Sequence, residues 1–353
     1  MKRLVVFLLF SMAGFELTFN PAPVVSATPY YEGKIIEMQG TGRVGGGTDT
    51  MARITSRILP KYIPGRPKIV VRPLPGAGGA IVNNIFYERA KPDGLHLLMN
   101  ASSAVALQRT GRDIVKYNML HYRHIGNVSR GGNVLVVRKE AISRLTDPKA
   151  QPVVCGTQEG TENWLGMSMW GREFLGWNIR WIPGYTGGSE IRMAFQRAEI
   201  DMMGTSNVYV LNPLKEQGLA VFLTQTGTFK KGTFIRRDDF SDIPTFVETL
   251  GDNKPTGIPW QAYLGWVGGS MLDKFLSAPR GTPDEYYSIL VQAWEKMSRD
   301  PEFDQLVKKM VSDVYEVGIG KETDELLNLV LDVPPQALGY GGELQRKFGI
   351  VSK

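Results

Sequence analysis

Residues 68–89 read KIVVRPLPGAGGAIVNNIFYER. The β-branched run Ile69-Val70-Val71 predicts a strand over Lys68–Arg72. A proline turn then enters Gly76-Ala77-Gly78-Gly79, and a helix is expected over Ala80–Arg89. Strand, glycine loop and helix together make one unit of a parallel α/β sheet. Similar units flank it. Lys34–Gln39 predicts a strand, GTGRVGGGTDT follows at 40–50, and a helix is expected from Met51 to Leu59, with a third strand at Leu95–Met99. A second series has strands at Asn133–Arg138, Val153–Cys155, Arg180–Ile182, Ile200–Gly204 and Ala220–Thr224, and helices over Asn163–Phe174 and Glu190–Arg197. Tyr263–Leu276 is apolar and reads as helical or mixed; helices are expected over Thr282–Arg299, Pro301–Val311 and Glu322–Val333. At Thr282-Pro283-Asp284-Glu285 the pattern is an N-cap residue, a first-turn proline and early acids. The alternation predicts two α/β units whose loops lie at strand carboxyl ends, where such sheets bind ligands.

Composition agrees. The chain has 353 residues, 42% hydrophobic and 22% charged, enough for two domains. Its net charge of +6 comes without a Lys/Arg block, which argues against nucleic acid and favours small anions. Lys2-Arg3, the apolar run Leu4–Phe10 and Val25-Ser26-Ala27 predict a signal peptide over residues 1–27. Its removal takes away Lys2, Arg3 and Glu16 and brings the charge from +6 to about +5 on an exported, periplasmic chain starting near Thr28. No later stretch reads as a membrane span. Cys155 is the single cysteine, so no internal disulfide is expected. His121 and His124 lie three apart with no Cys or acidic cluster beside them, so neither a metal nor a cofactor is expected.

Several chemistries are disfavoured. Gly40-Thr41-Gly42-Arg43-Val44-Gly45 has the form of a dinucleotide fingerprint, but Gly45-Gly46-Gly47 overextends the turn and the second strand ends at Arg72 rather than an acid. Pro75–Gly79 lacks the Lys-Ser/Thr of a phosphate loop. There is no G-x-S-x-G and no H-E-x-x-H. Asp49 and Asp93 read as cap or turn residues. No catalytic constellation is visible, and the chain reads as a non-enzyme. What recurs is the glycine-rich turn into a helix, at Gly45–Asp49, Gly76–Gly79, Gly156–Thr161 and Gly184–Ser189, with Asn100–Ser103 adding hydroxyls. Such turns present free N–H groups to anions, and together they predict a carboxylate clamp.

GGGTDTMAR, IVVRPLPGAGGAIVNN, AKPDGLHLL, GYTGGSEIRMAFQRAEIDMM, APRGTPDEYYSIL and SRDPEFDQL, in that order, resemble the extracytoplasmic receptors of tripartite tricarboxylate transporters, the Bug-type solute-binding proteins. The resemblance implies a type II periplasmic binding fold, with two α/β domains closing over a small organic acid before docking on a permease of large and small subunits. It implies first-domain contacts from Gly46, Gly47, Thr48, Asp49, Gly78, Gly79, Ser102 and Ser103. It implies second-domain contacts from Thr157, Gly160, Thr161, Asn163, Tyr185, Thr186, Gly187, Gly188, Gly204, Thr205 and Ser206. Two departures stand out. Members often carry aromatic-x-Pro where this chain has Gly42-Arg43-Val44, so Arg43 is expected to put a charge at the ligand. Many have an Asp near Gly204-Thr205-Ser206, so a partner for a ligand amine is missing there.

The expectation is a monomeric binding protein with residues 28–132 plus 257–353 as the first domain and 133–256 as the second. The crossings are expected near Asn133–Arg138 and Pro259–Gly265. A ligand-sensing receptor for a sensor kinase and an exported enzyme on the same scaffold are the alternatives.

Overall fold

Both sheets grow from the same unit, a short apolar strand that ends in a loop and a helix. The computed structural model describes residues 28–109, 113–158, 160, 162–185, 187–230 and 232–351. The expected signal peptide, Thr161 and Thr186 lie outside them. The first run is β1 (Ile35–Gly40), α1 (Gly47–Ile58), β2 (Lys68–Pro73), α2 (Ala80–Arg89), β3 (His96–Ala101), α3 (Ser102–Arg109) and β4 (Arg123–Ser129). The second is β5 (Val134–Arg138), β6 (Val153–Gly156), α4 (Leu165–Leu175), β7 (Ile179–Ile182), α5 (Gly188–Gln196), β8 (Met202–Thr205), α6 (Val208–Glu216) and β9 (Ala220–Gln225). A hairpin, β10 (Thr228–Lys230) and β11 (Thr233–Ile235), precedes α7 (Phe246–Leu250) and α8 (Gly257–Gly268). The chain ends with β12 (Lys274–Ala278), α9 (Asp284–Ser298), α10 (Pro301–Met310), β13 (Glu316–Ile319), α11 (Lys321–Leu331) and α12 (Pro335–Lys347).

The first sheet runs β13-β4-β12-β3-β1-β2 and the second β7-β6-β8-β5-β9. In each, a parallel trio is joined by one antiparallel strand that arrives from the other half. These strands are β12, between β3 and β4, and β5, between β8 and β9. The first residue of β12 pairs with the last of β3, and the first of β5 with the last of β8. Both connections therefore enter beside strand carboxyl ends. This is the two-domain α/β arrangement expected, the type II periplasmic binding fold.

The connections lie at residues 130–133 and 269–273. They differ from the expected positions because β5 is itself a strand of the second sheet and Pro259–Gly265 is helical. Strands β12 and β13 join the first sheet, whereas α8 and α12 bring Tyr263, Trp266, Ala337 and Leu344 to the core of Trp170 and Ile179. The apolar run Tyr263–Leu276 thus splits into a helix end and a strand. Thr282 does not cap α9; its hydroxyl donates to the Pro279 carbonyl, and the helix begins after Pro283.

α1 buries Met51, Ile54, Thr55 and Ile58, the spacing of one helical face. Central strand β3 is buried along Leu97–Ala101, and β5 along Val134–Val137. Gly126 on β4 is a packing requirement, since a Cβ there would fall on the Trp294 indole. Gly126→Ala is therefore expected to lower unfolding free energy by about 1–3 kcal/mol. A urea midpoint unchanged from wild type would show that the Trp294 contact is looser than drawn.

Candidate functional site

The loop after β2 has an unusual backbone. Gly76, Ala77, Gly78 and Gly79 all have positive φ, at 152°, 46°, 63° and 100°. Three of the four are glycine, the residue that reaches this region without strain. The run turns the backbone sharply ahead of α2, and Ser103 Oγ fixes it by donating to the Gly78 carbonyl at 3.0 Å. The loop after β1 is shaped by Asp49. Its Oδ2 accepts from Gly45 N–H at 2.8 Å and from Arg53 Nε at 2.9 Å. The Arg53 hydrogen bond, aided by Gly45, outweighs burial and holds this carboxyl below its usual range. Asp49 thus closes its own loop rather than capping α1, whose N-cap is Gly46.

Between these loops lies a cavity of about 390 Å³, lined by Thr41, Arg43, Thr48, Gly78, Gly79 and Ser103 among others. Arg43 is exposed on its rim and is its only charged lining residue. Thr41 is 8% exposed, and its hydroxyl has no partner among the described residues. A buried hydroxyl without a partner costs about 1–3 kcal/mol, a condition it shares with the hydroxyls of Tyr31, Thr55 and Tyr263.

A second cavity of about 360 Å³ lies between the halves. Ser102 and Asp273 line it from the first, Gln158, Glu162, Trp164 and Ser206 from the second, and Arg130 from a crossing segment. Ser102 lines this cavity and Ser103 the other, so the start of α3 is the wall between them. Asp273 is largely buried here, its side chain 13% exposed. Its Oδ1 accepts from Lys274 Nζ at 2.6 Å and its Oδ2 from Arg130 Nε at 2.9 Å. Burial raises the affinity of this carboxyl for a proton, but Lys274 and Arg130 outweigh it and hold the group below its usual range.

The remaining expected contacts build walls. Thr157 Oγ1 donates to Glu162 Oε2 at 2.7 Å, and Gln158 N–H to Glu162 Oε1 at 2.7 Å. Gly160 carbonyl accepts from Gln345 Nε2 at 2.6 Å, clamping this loop to α12. Asn163 lines the second cavity and lies against Trp266 and Ser270, in the amide orientation that donates to the Trp266 carbonyl and accepts from Ser270 N–H. Gly184 and Tyr185 tie their loop to Gln158 and Thr157 through backbone bonds. Gly187 precedes α5 and Gly188 opens it, both with open space before them. Gly204 lies under the Trp164 ring, and Thr205 Oγ1 accepts from Asn207 N–H. Gly47 stands beside the Lys274 side chain. Sequence reasoning did not single out Thr41, Arg130 or Asp273 as lining residues. The polar residues of the crossings were the signal, but the crossings were placed several residues away.

Among the described residues one serine–histidine pair stands close. His124 Nδ1 lies 2.9 Å from Ser277 Oγ and Nε2 2.9 Å from the Met119 carbonyl oxygen, with both side chains buried in the first sheet and outside both cavities. Burial pulls this imidazole down to about 4. Cys155 is buried, and burial pushes its thiol well up.

No known family model and no curated protein matches this sequence. Solved structures do. A TctC solute-binding protein from Polaromonas, without ligand, superposes with a TM-score of 0.68 at 18% identity, over 90% of this chain and 99% of its own. The periplasmic binding protein BugD gives 0.53 at 19%, over 92% and 100%. R. palustris Rpa4515, solved with adipate, gives 0.56 at 16%, over 90% and 98%. What this chain shares with them is the fold.

The buried histidine carries a pH signature. Its folded value near 4 lies below the ordinary 6.5. The unfolded chain therefore takes up the proton first, and stability is full above pH 6.5 and falls as pH drops towards 4. The loss is about 3 kcal/mol from this group. Denaturant titrations from pH 7.5 to 4 should show it, with a flatter profile for His124→Gln. Equal slopes for both proteins would remove His124 as the cause.

Proposed function

We propose that this chain is a periplasmic solute-binding receptor that captures a small organic carboxylate and delivers it to a membrane permease of large and small subunits. The observation that carries the reading is the Thr41 cradle, a cavity bounded by two glycine loops and a helix start, with an unpaired buried hydroxyl inside and one cation on its rim. Donors without acceptors suit a carboxylate, and hydrogen bonds to a charged partner are the stronger kind. The fold supports the same reading, since the similar structures bear the names of binding proteins and one was solved with adipate.

In this reading the contacts divide between the two cavities. Thr41, Thr48, Gly78, Gly79 and Ser103 hold one carboxylate, with Arg43 on the rim above it. Ser102, Thr157, Gly160, Asn163, Tyr185, Gly187, Gly188 and Ser206 enclose the rest of the ligand. The halves carrying the two sheets act as domains and close about residues 130–133 and 269–273. Small clefts of this size commonly bind near −8 kcal/mol, about micromolar.

Two measurements test this. Thermal-shift screening should find organic acids that stabilise the protein and neutral sugars that do not, since ligand at 100 times its Kd adds about 2.7 kcal/mol. Stabilisation by sugars alone would defeat the proposal. Thr41→Val removes the hydroxyl at nearly constant shape. It should weaken the best acid by about 1.5–3 kcal/mol, and leave the unliganded protein at least as stable as wild type. Unchanged calorimetric affinity would take Thr41 out of the site.

A further inference from the structure

We propose that Arg130 selects the charge of the ligand's far end: with one carboxylate in the Thr41 cradle, a second anionic group accepts from the outer guanidinium nitrogens of Arg130 on the other side of the Ser102–Ser103 wall. This rests on the carboxylate reading above and goes one step further, to a residue and a ligand class. Three charged side chains line the second cavity, Arg130, Glu162 and Asp273, and two of them are acids. By count alone the cavity would prefer a cation. Pairing changes the balance, because Asp273 is held between two cations, Lys274 and Arg130, and Glu162 is turned to its own loop.

Both Asp273 oxygens are taken, one by Lys274 and one by Arg130. Both Glu162 oxygens are taken, by the Thr157 hydroxyl and the Gln158 N–H. Arg130 is different. Among the described residues only its Nε is engaged, so Nη1 and Nη2 keep their donors, and the side chain is 38% exposed. Asp273 fixes the guanidinium by its inner edge and leaves the outer edge to a ligand. A planar fork held in this way matches a carboxylate with little further loss of freedom.

The test uses the mature full-length chain and calorimetry with straight-chain C4 to C6 diacids and their half-amides, which differ only in the charge of one end. Wild type should bind the best-fitting diacid about tenfold tighter than its half-amide. Arg130→Gln should bring that ratio to within about threefold while leaving half-amide affinity within about threefold of wild type. Asp273 retains Lys274 in this variant, and retained half-amide binding reports an intact cleft. Thr41→Val should weaken diacid and half-amide together and leave the ratio standing. A wild type indifferent to the second charge, an Arg130→Gln protein with the wild-type ratio, or one that loses both ligands alike would each overturn the assignment while acids still bind. If wild type binds neither acid nor half-amide, the carboxylate reading falls, and this inference with it.

Discussion

A largely buried carboxylate ties the two crossing segments to each other. Asp273 ends the second crossing, and it is flanked by a cation from each crossing, Lys274 beside it and Arg130 from the first. Burying an ion costs several kcal/mol unless the pairing is good, and here both carboxylate oxygens are matched. The same residue acts through its backbone, because its carbonyl accepts from Ser102 N–H at 3.3 Å. The pose of Arg130, the spacing of the crossings and the start of α3 therefore follow from one residue. At the other end of α3, Arg109 is buried and donates to the Gly265 and Trp266 carbonyls in the last turn of α8. Burial lowers this guanidinium to about 10, so it remains a cation at neutral pH, and a cation at a helix carboxyl end is stabilising. One short helix thus joins the cleft wall to the helix that packs on the second sheet.

That joint gains its meaning from sheet topology. Each half sends one antiparallel strand to the other, and each enters beside the carboxyl end of a parallel strand. The crossings therefore run along the edge where the glycine loops gather. A ligand held by those loops touches both sheets and the joint between them, so binding and relative domain position are one mechanical problem.

Much of this was legible in the sequence. β2 to α2, Lys68 to Arg89, read correctly because local propensity and position agree: β-branched residues in a strand, glycines at positive φ, then a helical run. β4 did not. Arg123–Ser129 reads RHIGNVS, with a charge, a glycine and three polar residues, yet His124, Asn127 and Ser129 are all buried. Their partners are remote: Ser277 for His124, the Met271 carbonyl and Thr323 for Asn127. No local window contains such partners, so the strand was invisible. The site divided in the same way. The glycine loops announced themselves, whereas Thr41, Arg130 and Asp273 acquire roles only when residues far apart in sequence meet. Several loop residues expected at the ligand, Asp49 among them, also hold their own loops.

The two cleft arginines have unequal tasks on the proposed reading. Arg43 stands exposed on the rim, where a charge acts through water and salt screens it over about 8–10 Å. Such a charge raises the local concentration of anions and speeds encounter, and its effect fades as ionic strength rises. Arg130 lines the second cavity with one edge already bound to Asp273. Its position is paid for by folding rather than by the ligand, so little freedom remains to be lost on binding. Held in that pose, it discriminates between a charged and a neutral ligand end more strongly than a mobile rim charge can. Rim charge therefore governs arrival, and the held charge governs which arrivals stay.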